Sequence, residues 1–243
     1  MLKKNYVLAL ALGAALVPSV TNAADHLDGA AVKTDAATDI NDVYTWMSAD
    51  GSKIYLAMTV FPQATTASKF SDQAWYVFHT VSRAQFVTAT QTPLDIICGF
   101  EAAGTQNISC WFGSSANFLY GDASATAGLT PAASSPLAGK VKVFAGLRSD
   151  HFFFNLDGYN NVRGKVKAAA PGLTFDTNGC PAIPAATAGT LRTNLTQNAA
   201  GNAAGTDFFA SLKTLAIVME IDKTLLTSGG SLFSVWGGTH KKM

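Results

Sequence analysis

Apolar and polar residues alternate with a period of two along much of this chain. Ile54, Leu56, Met58 and Val60 alternate with Lys53, Tyr55 and Thr59, and Leu215, Ile217, Met219 and Ile221 alternate with Thr214, Glu220 and Asp222. A two-residue period sends successive side chains to opposite faces of an extended strand. The same pattern predicts strands over 42–47, 74–81, 141–147 and 231–236. Residues 94–100 and 107–112 read as a hairpin that turns near Gly104, in a register that sets Cys98 opposite Cys110. Short strands separated by turn residues predict a mainly β fold, an antiparallel two-sheet β-sandwich with a few short helices and long Ala/Gly/Ser-rich loops. The strand 74–81 is apolar on both faces, which predicts a central position with something packed over its outer side.

Helical signals are few. Asp150 to Ala170 predicts one helix, capped by Asp157 or its neighbours and stopped by Pro171-Gly172, with shorter helical turns at 207–212 and 223–227. The stretches 114–139 and 168–205 are rich in Ala, Gly, Ser, Thr, Asn and Pro and read as long connections. Trp46, Trp75 and Trp236 lie on alternating strands, where aromatics more often fill a core than form a binding platform.

The first 23 residues change the picture from a β domain to an exported one. Lys3 and Lys4 precede an apolar run from Tyr6 to Val17, followed by Pro18 and the small-residue ending Val-Thr-Asn-Ala. That is the layout of a secretory signal peptide cleaved near Ala23, leaving one domain over 24–243 in the periplasm or outside the cell. The apolar run falls short of the roughly 20 residues a membrane span needs. Without Lys3 and Lys4 the formal net charge passes from +1 to −1. Nucleic acid is thereby excluded as a partner, because phosphate binding needs concentrated basic surface. Three cysteines in an oxidising compartment predict one disulfide, Cys98–Cys110, with Cys180 left over.

Candidate chemistry concentrates at the start of the mature chain. His26, Asp28, Asp39 and Asp42 offer an imidazole and carboxylates, with Asp35 between them, and further along Asp150 and His151 follow Arg148 in a polar step enclosed by apolar residues. Together the six residues His26, Asp28, Asp39, Asp42, Asp150 and His151 form a candidate set for a divalent ion: Ca²⁺ through the oxygens, Cu²⁺ or Zn²⁺ through the imidazoles. Cleavage after Ala23 would add a free amine at Ala24-Asp25-His26, an arrangement that wraps Cu²⁺ or Ni²⁺ in a square plane. The plainer reading is that the acids cap turns and a short helix, and that Arg148 and Asp150 form a buried ion pair that fixes a turn. No nucleophile elbow, zinc-protease helix, phosphate loop or Cys-x-x-Cys pair is present.

Four blocks carry a resemblance: Ala-Asp-His-Leu-Asp-Gly at 24–29, Asp-Ile-Asn-Asp-Val-Tyr-Thr-Trp at 39–46, Phe-Ala-Gly-Leu-Arg-Ser-Asp-His-Phe-Phe-Phe at 144–154, and Val-Trp-Gly-Gly-Thr-His at 235–240. In that order they resemble the exported bacterial family DUF4331, a domain of unknown function. The chain departs from the family pattern at Ala30, His151 and Asn155, where Pro, Pro and Asp are expected. The resemblance implies an exported, single-domain, β-rich protein and implies no activity. Three functional expectations result. The first is a non-catalytic binding or envelope protein that holds a metal ion through its N-terminal His/Asp segment, or a small ligand or envelope partner through its loops. The second is a hydrolase with a site of Asp and His assembled by the fold, and the third a purely structural envelope protein.

Overall fold

The computed structural model describes residues 26, 29–87, 90–102 and 104–243. The expected signal peptide over 1–23, the expected Ala24-Asp25 terminus and Asp28 lie outside the described residues. Among the described residues nine strands form two antiparallel sheets: β1 (Ile40–Met47), β2 (Lys53–Val60), β8 (Lys213–Asp222) and β7 (Val141–Ser149) in that order, and β6 (Phe118–Asp122), β5 (Asn107–Phe112), β4 (Thr92–Phe100), β3 (Ala74–Arg83) and β9 (Leu232–Lys241). The expected β-sandwich is therefore the fold. Its core is made by the inward half of each alternating pattern: Leu56, Met58 and Val60 of β2 and Ile217, Met219 and Ile221 of β8 face Tyr76 and Phe78 of β3 and Ile96 of β4. Two facing sheets each bury one side of the pleat, which is why the period-two signal was so strong.

Cys98 and Cys110 stand opposite one another in the β4–β5 ladder and are joined by a disulfide, with Cα atoms 4.2 Å apart. Cys180 is free and exposed. The N-terminal segment runs through α1 (Ala30–Thr34) and a 3-10 turn at Ala36–Thr38 into β1. The Asp35 carboxylate accepts from the Ala37 N–H at 3.2 Å, so this acid does cap a turn. Tyr76 anchors the segment to the core. Its buried hydroxyl donates to the Ala37 carbonyl at 2.9 Å and accepts from the Ser71 N–H at 2.8 Å. Among the described residues no helix is long and apolar enough to cross a membrane.

Several expectations are corrected. The helix α2 spans Leu156–Ala169 and is capped by Asn155, because Asp150 instead turns the chain by accepting from the Phe152 N–H at 3.0 Å. The stretches read as loops hold ordered elements, β6 in the first and α3 (Ala185–Leu195) in the second. Residues 207–212 form turns rather than helix, while Lys223–Leu226 forms α4. Arg148 is exposed with its guanidinium 3.6 Å from the centre of the Phe144 ring, and among the described residues it makes no ion pair with Asp150. The strand β3 is interior to its sheet, between β4 and β9, as expected. On its outer side Val77 is buried and Trp75, His79 and Val81 are half-buried.

Candidate functional site

The predicted acid and imidazole residues do gather on the outside of the four-stranded sheet. On β1 the inward residue Val43 opposes Met58, so Asp42 and Tyr44 point outward over Thr59 and Ala57. The segment that follows β7 brings His151 to this face, where its ring lies 4.5 Å from the Tyr44 ring. Burial raises the pKa of Asp42 above the ordinary carboxylate value; Tyr44 and the charges of His151 and His26 oppose the shift, and Asp150 adds to it. Burial, then the Asp42 charge, pushes the Tyr44 phenol up to about 12. His26 Nδ1 is 3.7 Å from Asp39 Oδ1, beyond hydrogen-bond reach. Asp39, Asp42, Asp150, His151 and His26 are therefore electrostatic neighbours. Among the described residues, no group of three or more His, Cys, Asp or Glu side chains could hold a metal ion.

A second constellation lies on the outer face of the five-stranded sheet, and none of its residues belongs to the predicted set. Register decides its composition. His79 of β3 pairs across to Asp95 of β4 and Trp236 of β9, Val77 to Ile97 and Gly238, and Trp75 to Gly99 and His240. Ile97 continues to Trp111 of β5, and Trp111 to Phe118 of β6. All these residues share one parity and so one face, giving an aromatic surface that crosses all five strands. Trp236 is 51% and Phe118 39% exposed, which overturns the reading of the tryptophans as core filling; Trp46, on the other sheet, is 46% exposed.

The rings are held in place by their neighbours. Trp236 stacks on His79 with centroids 5.3 Å apart, and Trp75 meets Trp111 edge-on at 5.6 Å. A β-carbon at position 99 would stand 2.4 Å from the Trp75 ring, so glycine there lets the indole lie flat across the strand. The Lys242 ammonium covers the same ring at 4.6 Å and donates to the Phe100 carbonyl.

His79 is the histidine that meets a carboxylate beside a hollow. Its Nδ1–H donates to Asp95 Oδ1 at 2.9 Å, since an ionised carboxylate only accepts. The hollow, about 460 Å³, is bounded by this pair together with Trp75, Ile97, Trp111 and His240. Its lining offers no hydroxyl, thiol or amine to act as a nucleophile. A larger cleft of about 740 Å³ lies beside the N-terminal segment, where Asp35 caps the 3-10 turn and Lys69 donates to the Gly104 carbonyl. The sequence did contain a signal for the aromatic face. Trp75, Val77 and His79 share a parity with no charged residue among them, the both-sides-apolar pattern that was read as a covered strand. No family model, no curated protein and no solved structure matches the chain.

Proposed function

We propose that this chain is an exported, non-catalytic binding protein that holds a neutral saccharide chain on the outer face of its five-stranded sheet. The observation that carries the reading is the exposed aromatic surface from Trp236 across to Phe118. Large exposed apolar patches with polar groups set among them mark interaction sites rather than ordinary surface. Ring faces take flat ligands of two common kinds, nucleobases and the C–H faces of sugars. A nearly neutral chain disfavours the first, whose phosphates need basic side chains. Polar groups that could bond sugar hydroxyls stand at both ends: the His79–Asp95 pair, and the Tyr120 hydroxyl that donates to Glu101 at 2.7 Å. The signal-peptide layout, the disulfide and the resemblance to DUF4331 support a place outside the cytoplasm.

Affinity electrophoresis through gels containing neutral polysaccharides tests the reading. Wild-type protein should be retarded by at least one of them, and Trp236→Ala and Trp111→Ala should run as they do in a plain gel. Retention that survives both substitutions would move the site elsewhere. The second reading, a cation at the N-terminal acids, is favoured by Asn41 Oδ1, which is buried without a hydrogen-bond partner among the described residues on the strand that carries Asp42. A rise in melting temperature on adding Ca²⁺, abolished in Asp42→Asn, would support it.

A further inference from the structure

We infer that His79 and His240 form a two-imidazole site for a first-row transition-metal ion, with Cu²⁺ held most tightly and water completing the coordination. The site does not rest on the saccharide reading and uses none of the N-terminal acids. Three independent pieces of geometry converge on it. Asp95 fixes the tautomer of His79: with Nδ1–H donated to the carboxylate at 2.9 Å, the lone pair is left on Nε2. This is the carboxylate–imidazole arrangement that orients metal-bound histidines and raises their basicity. Trp236, stacked on the same ring at 20° between planes, sets the direction in which Nε2 points.

Glycine at 238 supplies the gap. A β-carbon there would lie 3.0 Å from His240 Nε2 and 3.4 Å from His79 Nε2, so both nitrogens approach the same point above the strand. The rings are 5.9 Å apart at 81°, and neither is stacked flat on the other. His240 is exposed on β9, an edge strand, so a small rotation of its side chain can bring the nitrogens within bonding distance of one ion. Bonds from imidazole to such an ion are about 2.0 Å. Imidazole suits copper, nickel and zinc, and for a given donor set Cu²⁺ heads the divalent series. Two protein ligands suffice for a solvent-open site, so the absence, among the described residues, of a group of three or more His, Cys, Asp or Glu placed to hold one ion is compatible with it.

The test is a Cu²⁺ titration of the mature chain carrying His26→Ala, which removes the terminal Ala24-Asp25-His26 chelate. Tryptophan fluorescence reports binding beside Trp236, and electron paramagnetic resonance reports the donor atoms. One equivalent of Cu²⁺ should bind with a two-nitrogen signature. His79→Ala and His240→Ala should each weaken it at least tenfold, and Asp95→Asn, which acts only through His79, about 10- to 100-fold. Gly238→Ala removes no ligand and should weaken binding by occupying the gap. Circular dichroism confirms that each variant is folded, which is expected because both imidazoles are outside the core. Affinity unchanged in both histidine variants, or a spectrum without imidazole nitrogen, overturns the inference.

Discussion

Asn155→Asp is a one-atom exchange that the structure makes severe. Asn155 is 9% exposed and does two jobs: Oδ1 accepts from the Gly158 N–H at 3.2 Å to cap α2, and Nδ2 donates to the carbonyls of Leu195 at 2.8 Å and Gln197 at 2.6 Å. Those two bonds tie the start of α2 to the end of α3. Aspartate keeps the cap and gains about 0.3–1 kcal/mol from the helix dipole. It loses both donors and turns a carboxylate oxygen toward two carbonyl oxygens. Each lost bond costs about 1 kcal/mol and an unpaired buried group about 1–3 kcal/mol more, so the net loss should be near 3 kcal/mol. Burial and the facing carbonyls raise the new carboxyl's folded pKa above its unfolded value of about 3.9. The native state then binds its proton more tightly, so the loss begins as pH rises past about 3.9 and is complete above the raised folded value. Hydrogen exchange of α3 amides at pH 7 should quicken on the order of a hundredfold, as 3 kcal/mol requires. Protection of α3 equal to wild type at pH 7, or a loss of protection as large at pH 3 as at pH 7, would refute the reasoning.

Three further outcomes are expected. Asp42→Asn should stabilise the protein at neutral pH and remove a decline in stability on raising pH. Asp42 has a raised folded pKa, caused first by burial, so it weakens the native state as pH climbs past its unfolded value; urea unfolding at pH 3 and pH 7 measures the difference. Tyr76→Phe should cost about 1–3 kcal/mol in the same assay, because the Ser71 N–H and the Ala37 carbonyl lose their buried partner. Replacing both Cys98 and Cys110 by Ala should lower stability by about 3 kcal/mol or more, since the loop closed by 12 residues of separation is released and two buried side chains shrink, as calorimetry would show.

The sheets were legible because burial on one side of a pleat writes itself as alternation. The β4–β5 register could be read from Cys98 and Cys110 for the same reason, as could the turn at Gly104, whose φ is +61°. The helix inside 168–205 lacks that signal. The helix α3 (Ala-Ala-Thr-Ala-Gly-Thr-Leu-Arg-Thr-Asn-Leu) has no buried residue and no side-chain cap, so its composition looks the same whether it is helix or loop. Two positions where the resemblance leads one to expect another residue, Ala30 and Asn155, fare unevenly. Ala30 begins α1, a position where proline is equally at home, so that exchange asks nothing of the fold. Asn155 answers a specific need for two donors.

The aromatic face was hidden in the sequence for a different reason. The acids from Asp35 to Asp42 share a segment, and Asp35 serves the turn it sits in. His79, Asp95, Trp111, Trp236 and His240 come from four strands and meet only because β3 lies between β4 and β9 and β5 follows. Chemistry assembled by sheet order leaves its trace as a parity: a strand whose outward residues are as apolar as its inward ones. Such a strand has two explanations, a covering layer or a ligand. The elements packed most closely against β3 are its flanking strands β4 and β9, and Gly99 and Gly238 leave room for rings that reach across the surface. The apolar outward parity of β3 is then what the proposed saccharide-binding face requires.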